Sequence, residues 1–234
     1  MTGQADSNIP VLTLDGPSGS GKGTIARAVA EQLGWHLLDS GALYRLAALH
    51  ACRQDVPLDD EGALAALARD LPAEFRQDER GEPHILLAGE DVTWQIRTEQ
   101  VGDAASRVAA IPAVREALLE RQRAFRQPPG LVADGRDMGT VVFPDAPVKI
   151  FLTASAEERA RRRYKQLKEQ GVSVTLASLS EEIAERDRRD AQRSAAPLRP
   201  SRGALELDTT GVPVDEVTGQ VLARVKAYLA GEKG

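Results

Sequence analysis

The stretch Gly16-Pro-Ser-Gly-Ser-Gly-Lys22-Gly23-Thr24 brings together glycines, hydroxyls and one lysine in a spacing suited to holding a polyanion. Glycines let backbone N–H groups turn inward on phosphate oxygens, and a following helix directs its positive N-terminal end the same way. Lys22 adds a mobile cation for the outer phosphates. A nucleoside triphosphate is the expected ligand, with Gly16, Pro17, Ser18, Gly19, Ser20, Gly21, Lys22, Gly23 and Thr24 as its contacts. The usual motif ends Lys-Ser/Thr, but here Gly23 intervenes and the hydroxyl of Thr24 is displaced by one residue. Magnesium is therefore expected to be held mainly by phosphates and water, leaving Thr24 for a more inner phosphate. The Lys-Gly-Thr ending points away from GTPase switches and motor ATPases.

A second set of residues could handle an acceptor. Asp39-Ser-Gly-Ala-Leu-Tyr-Arg45 and Asp134-Gly-Arg-Asp137 each follow an apolar run. Asp134 is placed like the acidic group that holds magnesium or its water shell; the competing reading is a turn residue before Gly135. Arg45 and Arg136 are expected to follow strands that neighbour the cradle strand and to reach a second phosphate. Arg186, Asp190 and Arg193 fall at i, i+4 and i+7, putting two guanidiniums and a carboxylate on one helix face, with Arg189 beside them. Ion pairing along that helix would explain Arg186 and Asp190 alone. Together with the cradle, the set points to phosphoryl transfer, in which cations offset charge on the transferred group. Lys22, Arg136, Arg186 and Arg193 are the catalytic candidates. No Ser-His-Asp arrangement, redox motif or covalent nucleophile is apparent in the sequence.

The elements that must position these residues can be read from hydrophobic patterning. Apolar runs at 10–14, 35–38, 131–133, 148–152 and 204–208 read as strands, with helical patterns between them, the first from Ile25 to Leu33. Such alternation implies right-handed βαβ units, a parallel sheet covered by helices on both faces, and ligands at the strands' carboxyl ends. Residues 73–94 break the alternation and read as a small antiparallel meander with a turn at Asp78–Gly81. Helices at about 59–69 and 103–110 flank it, and one at about 112–126 returns to the third strand. Ser155-Ala-Glu-Glu158 is a capping box for a basic helix to about Lys168, and Ser178-Leu-Ser-Glu181 for a second to about Ser194. Two Arg-rich helices joined by a connector at Glu169–Ala177 suit a lid.

Composition narrows the class. A chain of 234 residues with 42% hydrophobic content can form one α/β domain with a sizeable insert. The net charge of −5 disfavours a general nucleic-acid partner but permits local anion sites, since Arg and Lys crowd residues 159–168 and 186–202. The single cysteine, Cys52, excludes an intramolecular disulfide, and His36, His50 and His84 lack metal-ligand spacing. No apolar run approaches a membrane span, and Met1–Asn8 lacks a signal-peptide core. A cytoplasmic protein, monomeric and with neither membrane nor nucleic-acid partners, is expected.

Taken together, the motifs resemble a known family. Asp15-Gly-Pro-Ser-Gly-Ser-Gly-Lys-Gly-Thr24, Leu38-Asp-Ser-Gly-Ala-Leu-Tyr-Arg45, Ile96-Arg-Thr-Glu, Ala104-Ala-Ser-Arg-Val-Ala, Asp134-Gly-Arg-Asp-Met-Gly-Thr140 and Glu185-Arg-Asp-Arg-Arg-Asp190 run in order over about residues 10–230 and closely resemble the bacterial cytidylate kinases. The Asp-Gly-Arg-Asp-Met-Gly-Thr string is far more specific than the cradle. The resemblance implies a P-loop nucleoside-kinase-like α/β fold: a parallel five-stranded sheet flanked by helices, an inserted antiparallel β subdomain and a helical lid. It places the core at about 10–58, 112–158 and 195–234, a monophosphate-binding insert at about 59–111 and the lid at about 159–194. It implies ATP plus CMP or dCMP giving ADP plus CDP or dCDP, with Mg2+ at Asp134 through water. Ser106, Arg115 and Asp137 would meet cytosine, with Ser40 near the base pocket. Arg186 and Asp190 would meet the sugar, and Arg45, Arg136 and Arg193 the monophosphate. The competing readings are another small-molecule P-loop kinase, such as an adenylate or shikimate kinase, and a nucleotide-gated interaction module.

Overall fold

The computed structural model describes residues 8–78, 83–169, 171–193 and 195–231, in two compact units, one formed by residues 1–39 and 123–234 and the other by Ser40–Gln122. Most of the polar lead-in Met1–Asn8, part of the turn at Asp78–Gly81, Gln170 of the connector and Ser194 lie outside the described residues.

The first unit is organised by a parallel sheet in the order β2-β6-β1-β7-β8. Its strands are β1 (Val11–Asp15), β2 (His36–Asp39), β6 (Leu131–Gly135), β7 (Val148–Thr153) and β8 (Leu205–Asp208). Every residue of β1 and β6 is buried, as expected of inner parallel strands covered on both faces. Leu12, Leu14, Val132, Ile150 and Leu152 share a core with Ile25, Ala26 and Val29 of α1 (Lys22–Leu33) and with Val217, Val221 and Val225 of α8 (Val214–Leu229). Register then fixes the chemistry: Asp39 and Leu14 lie level with Asp134, and Asp15 with Gly135. Three carboxylates thus gather where the strands end. β2 is an edge strand beside β6, so Arg45 follows a strand one removed from β1, contrary to the sequence expectation. Arg136 does follow a neighbour of β1. Nothing in the local sequence sets strand order, which explains that difference.

The two basic helices are α6 (Ala156–Glu169) and α7 (Leu176–Gln192), packed on each other. Ser155 caps α6, its hydroxyl accepting from Glu158 N at 3.2 Å. For α7 the expected cap at Ser178 is displaced to Thr175, whose hydroxyl accepts from the Ser178 N–H at 3.1 Å. The Ser178 hydroxyl itself turns back and donates to Thr175 O at 3.0 Å, so it serves the turn that Thr175 caps. Arg193 lies one residue past the helix in extended geometry (φ −55, ψ 132), rather than within the expected helical face. Likewise α1 begins at Lys22, immediately after Gly21, instead of at Ile25.

The second unit contains α2 (Ser40–Arg53), α3 (Glu61–Arg69), the antiparallel sheet of β3 (Ala73–Gln77), β4 (Pro83–Leu87) and β5 (Glu90–Asp91), and α4 (Glu99–Val108). Most of α5 (Pro112–Arg123) also belongs to it. The meander is where the sequence placed it. Helix α4 starts at Glu99 rather than 103, because Thr98 caps it by accepting from Val101 N. Arg121 of α5 donates to the Leu71 and Ala73 carbonyls, tying that helix to the start of the meander.

Candidate active site

In the first unit, the loop between β1 and α1 is held from behind by its carbonyls. Lys22 Nζ donates to Pro17 O at 3.1 Å, Arg159 Nη1 to Ser18 O at 3.1 Å and Thr209 Oγ1 to Ser20 O at 2.9 Å. A trans peptide carries its C=O and N–H in opposite directions, so each held carbonyl turns the next residue's N–H away from its anchor. Ser18, Gly19 and Gly21 are the residues so turned. A side chain at Gly16 would lie 2.1 Å from the Leu152 carbonyl, so the loop can leave β1 only at a glycine. A Cβ at Gly23 would lie 3.2 Å from Asp134 Oδ2, which accounts for glycine where Ser or Thr is usual.

The electrostatics of this loop are strongly perturbed. Burial, together with the Arg136 and Arg186 guanidiniums, pulls Lys22 below the ordinary lysine range, while Asp134 and Asp39 oppose the shift. Burial pushes Asp134 well above the carboxylate range, against the pull of Lys22, with Asp39 raising it further. Asp134 Oδ1 has no hydrogen-bond partner among the described residues. The site is poised for a ligand that brings both negative charge and hydrogen-bonding atoms. Asp15, 3% exposed, is also raised by burial, to about 6, even though it accepts from Met138 N and Gly139 N at 2.8 Å each.

Two of the predicted acceptor residues of this unit, Arg136 and Arg193, bond to a third, Asp190, 4% exposed. Its Oδ2 accepts from Arg136 Nε at 3.0 Å and its Oδ1 from Arg193 Nη2 at 2.8 Å. Burial alone would raise the Asp190 pKa, but the charges of Arg136 and Arg193, with the bond from Arg136, hold it below the ordinary carboxylate range. Arg193 reaches Asp190 although it lies beyond the helix. Arg186 acts on both Lys22 and Asp190, so the cradle and the arginine cluster form one electrostatic field. Asp137 is buried and begins a π-helical turn, Met138–Val142, with its carbonyl accepting from the Val141 and Val142 N–H groups.

In the second unit, Ser40 Oγ donates to Gln122 Oε1 at 2.7 Å, and Arg45 Nη1 to Ile96 O at 2.8 Å. Arg115 Nη1 donates to Ala109 O at 3.2 Å, with its guanidinium 5.7 Å from the Tyr44 ring. Ser106 Oγ is buried and has no hydrogen-bond partner among the described residues.

Sequence reading missed several supports. Arg159 carries the Ser18 carbonyl and a two-pronged bond to Asp187, and Arg162 donates to both the side chain and the carbonyl of Thr209. Of the basic residues of α6, Arg159 and Arg162 face the cradle, and Arg163 pairs along the helix with Gln166. The i, i+3 spacing of Arg159 and Arg162 was a usable signal. For Thr209 and Asp15, whose partners are remote in sequence, no signal was present.

Similarity to known proteins follows the same residues. The family model described as Cytidylate kinase matches residues 12–227. A cytidylate kinase of Aeromonas salmonicida (strain A449) is 60% identical over 220 residues, covering 94% of this chain and 95% of that one. A cytidylate kinase of Pseudomonas putida (strain W619) is 60% identical over 226 residues, covering 96% and 97%. Among solved structures, a gluconokinase from Sinorhizobium meliloti 1021 aligns at TM-score 0.48 and 18% identity, covering 97% of this chain and 98% of its own. A match that spans the cradle, the Asp134–Thr140 string and the α7 cluster, at this identity, leaves one assignment: the chain belongs to the cytidylate kinase family.

Proposed function

We propose that this chain transfers the γ-phosphoryl group of ATP to CMP or dCMP, giving ADP and CDP or dCDP, and so acts in pyrimidine nucleotide metabolism. The observation that carries the reading is the field shared by the cradle lysine and the arginine cluster: Lys22 feels both Arg136 and Arg186, and Asp190 organises Arg136 and Arg193. Phosphoryl transfer needs little covalent help, and such cations supply what it does need, offsetting charge on the transferred group. Lys22, Arg136, Arg186 and Arg193 take that role, and Gly16 to Thr24 hold the donor. Residues about 159–194 would serve as a lid that excludes water able to intercept the γ-phosphoryl group.

For the acceptor, Ser106, Arg115 and Asp137 are assigned to cytosine, Arg186 and Asp190 to the sugar, and Arg45, Arg136 and Arg193 to the monophosphate. The insert at about 59–111 would be the monophosphate-binding subdomain. Cytosine presents an amino donor at N4 and acceptors at N3 and O2. Asp137 can accept from N4, and Ser106 and Arg115 can donate. Ser40 has committed its one proton to Gln122, so toward a base it can only accept. Uracil would turn a carbonyl toward Asp137, an unpaired buried contact costing about 1–3 kcal/mol, or roughly tenfold to a hundredfold in discrimination.

Mg2+ suits the residues present. Asp134 Oδ1 is buried without a hydrogen-bond partner among the described residues, and no cluster of three or more His, Cys, Asp or Glu able to hold a metal occurs among them. One carboxylate acting through water, with phosphates completing the shell, matches the ion's preference for retained water. When bound, the ion would supply charge neutralisation at the β- and γ-phosphates.

No helix among the described residues is long and apolar enough to cross a membrane. A cytoplasmic monomer without a nucleic-acid partner fits the acidic chain. A coupled assay with CMP, dCMP, UMP, AMP and shikimate tests the function: CMP and dCMP should give the largest kcat/KM. Preference for AMP or shikimate would make it another P-loop kinase. Tight ATP binding without turnover of any acceptor would make it a nucleotide-gated module.

A further inference from the structure

We infer that Asp15 is a positioning residue for the acceptor: its carboxylate, at the end of the cradle strand, fixes the turn that carries Arg136 and Asp137. The inference rests on the reading of Arg136 and Asp137 as acceptor contacts.

The geometry is specific. Asp15 is the last residue of β1, level with Gly135 of β6, and the next residue, Gly16, opens the cradle. The two oxygens of Asp15 are divided between two successive amides: Oδ1 accepts from Met138 N and Oδ2 from Gly139 N, each at 2.8 Å. These are the first N–H groups of the π-helical turn, which has no side-chain cap of its own at Asp137. First-turn amides lack partners within their own helix and must be satisfied from outside. Asp15 therefore caps this turn from a neighbouring strand, 123 and 124 residues away in sequence.

The turn is also closely packed. A Cβ at Gly139 would lie 2.8 Å from Ser201 Oγ and 2.9 Å from Thr13 Oγ1, and one at Gly135 2.7 Å from Met138 Cε. Close packing at Gly135 and Gly139, together with two bonds to one carboxylate, restricts the backbone around Met138. Asp137 and Arg136, immediately before it, inherit that restriction. The same Asp15 stands one bond from the loop assigned to the donor, so a single rigid group sets the register between the donor cradle and the acceptor-reading turn. A fold needing only stability has a cheaper solution than a buried acid at this point, because burying a carboxylate opposes ionisation. π-helical turns are concentrated at functional sites, where an unusual backbone must be enforced by its surroundings.

The test is Asp15→Asn. The amide can accept one of the two N–H groups but sets its own NH2 against the other, so the turn should shift with little change in volume. The expected result is a fall of about tenfold in kcat/KM for CMP. The CMP:UMP ratio should narrow at least about threefold while the KM for ATP stays within about twofold, a pattern that general destabilisation would not give. Asp137→Ala is run alongside. If Asp137→Ala leaves the CMP:UMP ratio unchanged, the assignment of Asp137 to cytosine fails, and this inference with it. If Asp137→Ala narrows the ratio and Asp15→Asn does not, or if the ATP and CMP constants move together, Asp15 has no positioning role. Should Asp15→Asn fail to fold, Asp15→Glu, which keeps the charge and lengthens the arm, is read by the same criteria. If neither folds, the carboxylate serves the fold alone and the inference is overturned.

Discussion

Arg159 of α6 and Asp187 of α7 are joined by two parallel hydrogen bonds, Nη1 to Oδ1 at 3.0 Å and Nη2 to Oδ2, and the same Nη1 donates to the Ser18 carbonyl of the phosphate cradle. A forked guanidinium thus sits where three segments meet: the loop between β1 and α1, the helix after β7, and the helix bearing Arg186 and Asp190. Fork-to-carboxylate pairing constrains direction as well as distance, which a lysine at the same place could not do. The Arg-rich helices, which charge alone would allow to be a solvated face, are instead pinned to the cradle through their most buried arginine.

Replacing Arg159 by Met keeps the side chain's apolar stem and removes its donors. The loss of hydrogen bonds to a carboxylate and a cradle carbonyl is expected to lower stability to urea by about 1–3 kcal/mol. KM for ATP should rise more than KM for CMP, because the Ser18 carbonyl belongs to the loop assigned to the donor. Asp187→Asn should show a smaller effect of the same kind, and the two changes together should be less than additive. Steady-state kinetics and urea unfolding of the three variants decide; additive effects would mean that the pair does not act as a unit.

Gly23 offers a contrast between stability and activity. Alanine is the better helix former by up to about 1 kcal/mol, so Gly23→Ala at the start of α1 favours the helix. Its Cβ, however, would stand 3.2 Å from Asp134 Oδ2 and press on the carboxylate assigned to the magnesium water shell. The expected variant is no less stable but less active, with the Mg2+ concentration for half-maximal rate raised several-fold, roughly 1 kcal/mol of lost ion affinity. A magnesium titration of the initial rate is the measurement. An unshifted midpoint would disconnect Asp134 from the ion.

The sheet was legible because buried parallel strands write their positions as short apolar runs, and β1, β6 and β7 coincide with those runs to within two residues. The loop between β1 and α1 was legible because its signal is local, carried by consecutive residues between an apolar run and a helical pattern. What sequence could not give was everything set by strand order or remote pairing. Arg45 was placed beside the cradle strand because chain order suggests adjacency, whereas β6 lies between β2 and β1. Asp15 and Thr209 were invisible as supports because the partners they hold are more than 40 residues away. The α7 cap was displaced because Thr175 and Ser178 are both good caps in isolation, and in the fold the Ser178 N–H and hydroxyl both turn back to Thr175.

Ser106 should show a trade between fold and function. A buried hydroxyl with no partner among the described residues burdens the folded state by about 1–3 kcal/mol, so Ser106→Ala is expected to leave stability unchanged or raise it. The same change removes a donor assigned to cytosine and should raise KM for CMP about tenfold with kcat little altered, as for a lost ground-state contact. Thermal unfolding paired with CMP kinetics tests both halves. A variant that is stabilised and kinetically normal would take Ser106 out of the base site.

Across the meander, His84 Nδ1 and Asp91 Oδ2 are 2.5 Å apart, with Asp78 on the other ring nitrogen at 3.8 Å. The bond to Asp91 raises the His84 pKa above 6.5 against the opposing effect of burial, and the same bond lowers Asp91 to about 2. A raised histidine contributes stability that is fully present below 6.5 and lost as pH rises through its folded pKa. A lowered aspartate contributes stability present above 3.8 and lost as pH falls through about 2. The pair therefore supports the meander best between about 4 and 6.5. An NMR titration of the His84 ring should give a pKa above 6.5 that falls toward the ordinary value in Asp91→Asn. Equal values in the two proteins would show that the pair does not form in solution.

Asp190 is the most demanding case, since a single buried carboxylate holds Arg136 and Arg193 in place within reach of Arg186. Asp190→Asn preserves shape and one acceptor but removes the negative charge that both guanidiniums share. Breaking a buried pair by neutralising one partner costs about 3–5 kcal/mol, and part of that loss should appear as lower stability at pH 7. The sign with pH follows from the depressed pKa. The stabilisation that Asp190 supplies is present above its unfolded value of 3.8 and is lost as pH falls through the lower folded value, so wild type and variant should converge in acid. With one negative charge fewer among them, the arginines should also bind anions more readily, so sulfate or CMP should raise the unfolding midpoint of Asp190→Asn more than that of wild type. Poorer turnover with a larger anion-dependent stabilisation would mark Asp190 as the group that keeps the acceptor arginines arranged. If instead anions stabilised both proteins equally and the stability gap persisted unchanged into acid, the loss would be one of packing, and the arginines would owe their arrangement to something other than this carboxylate.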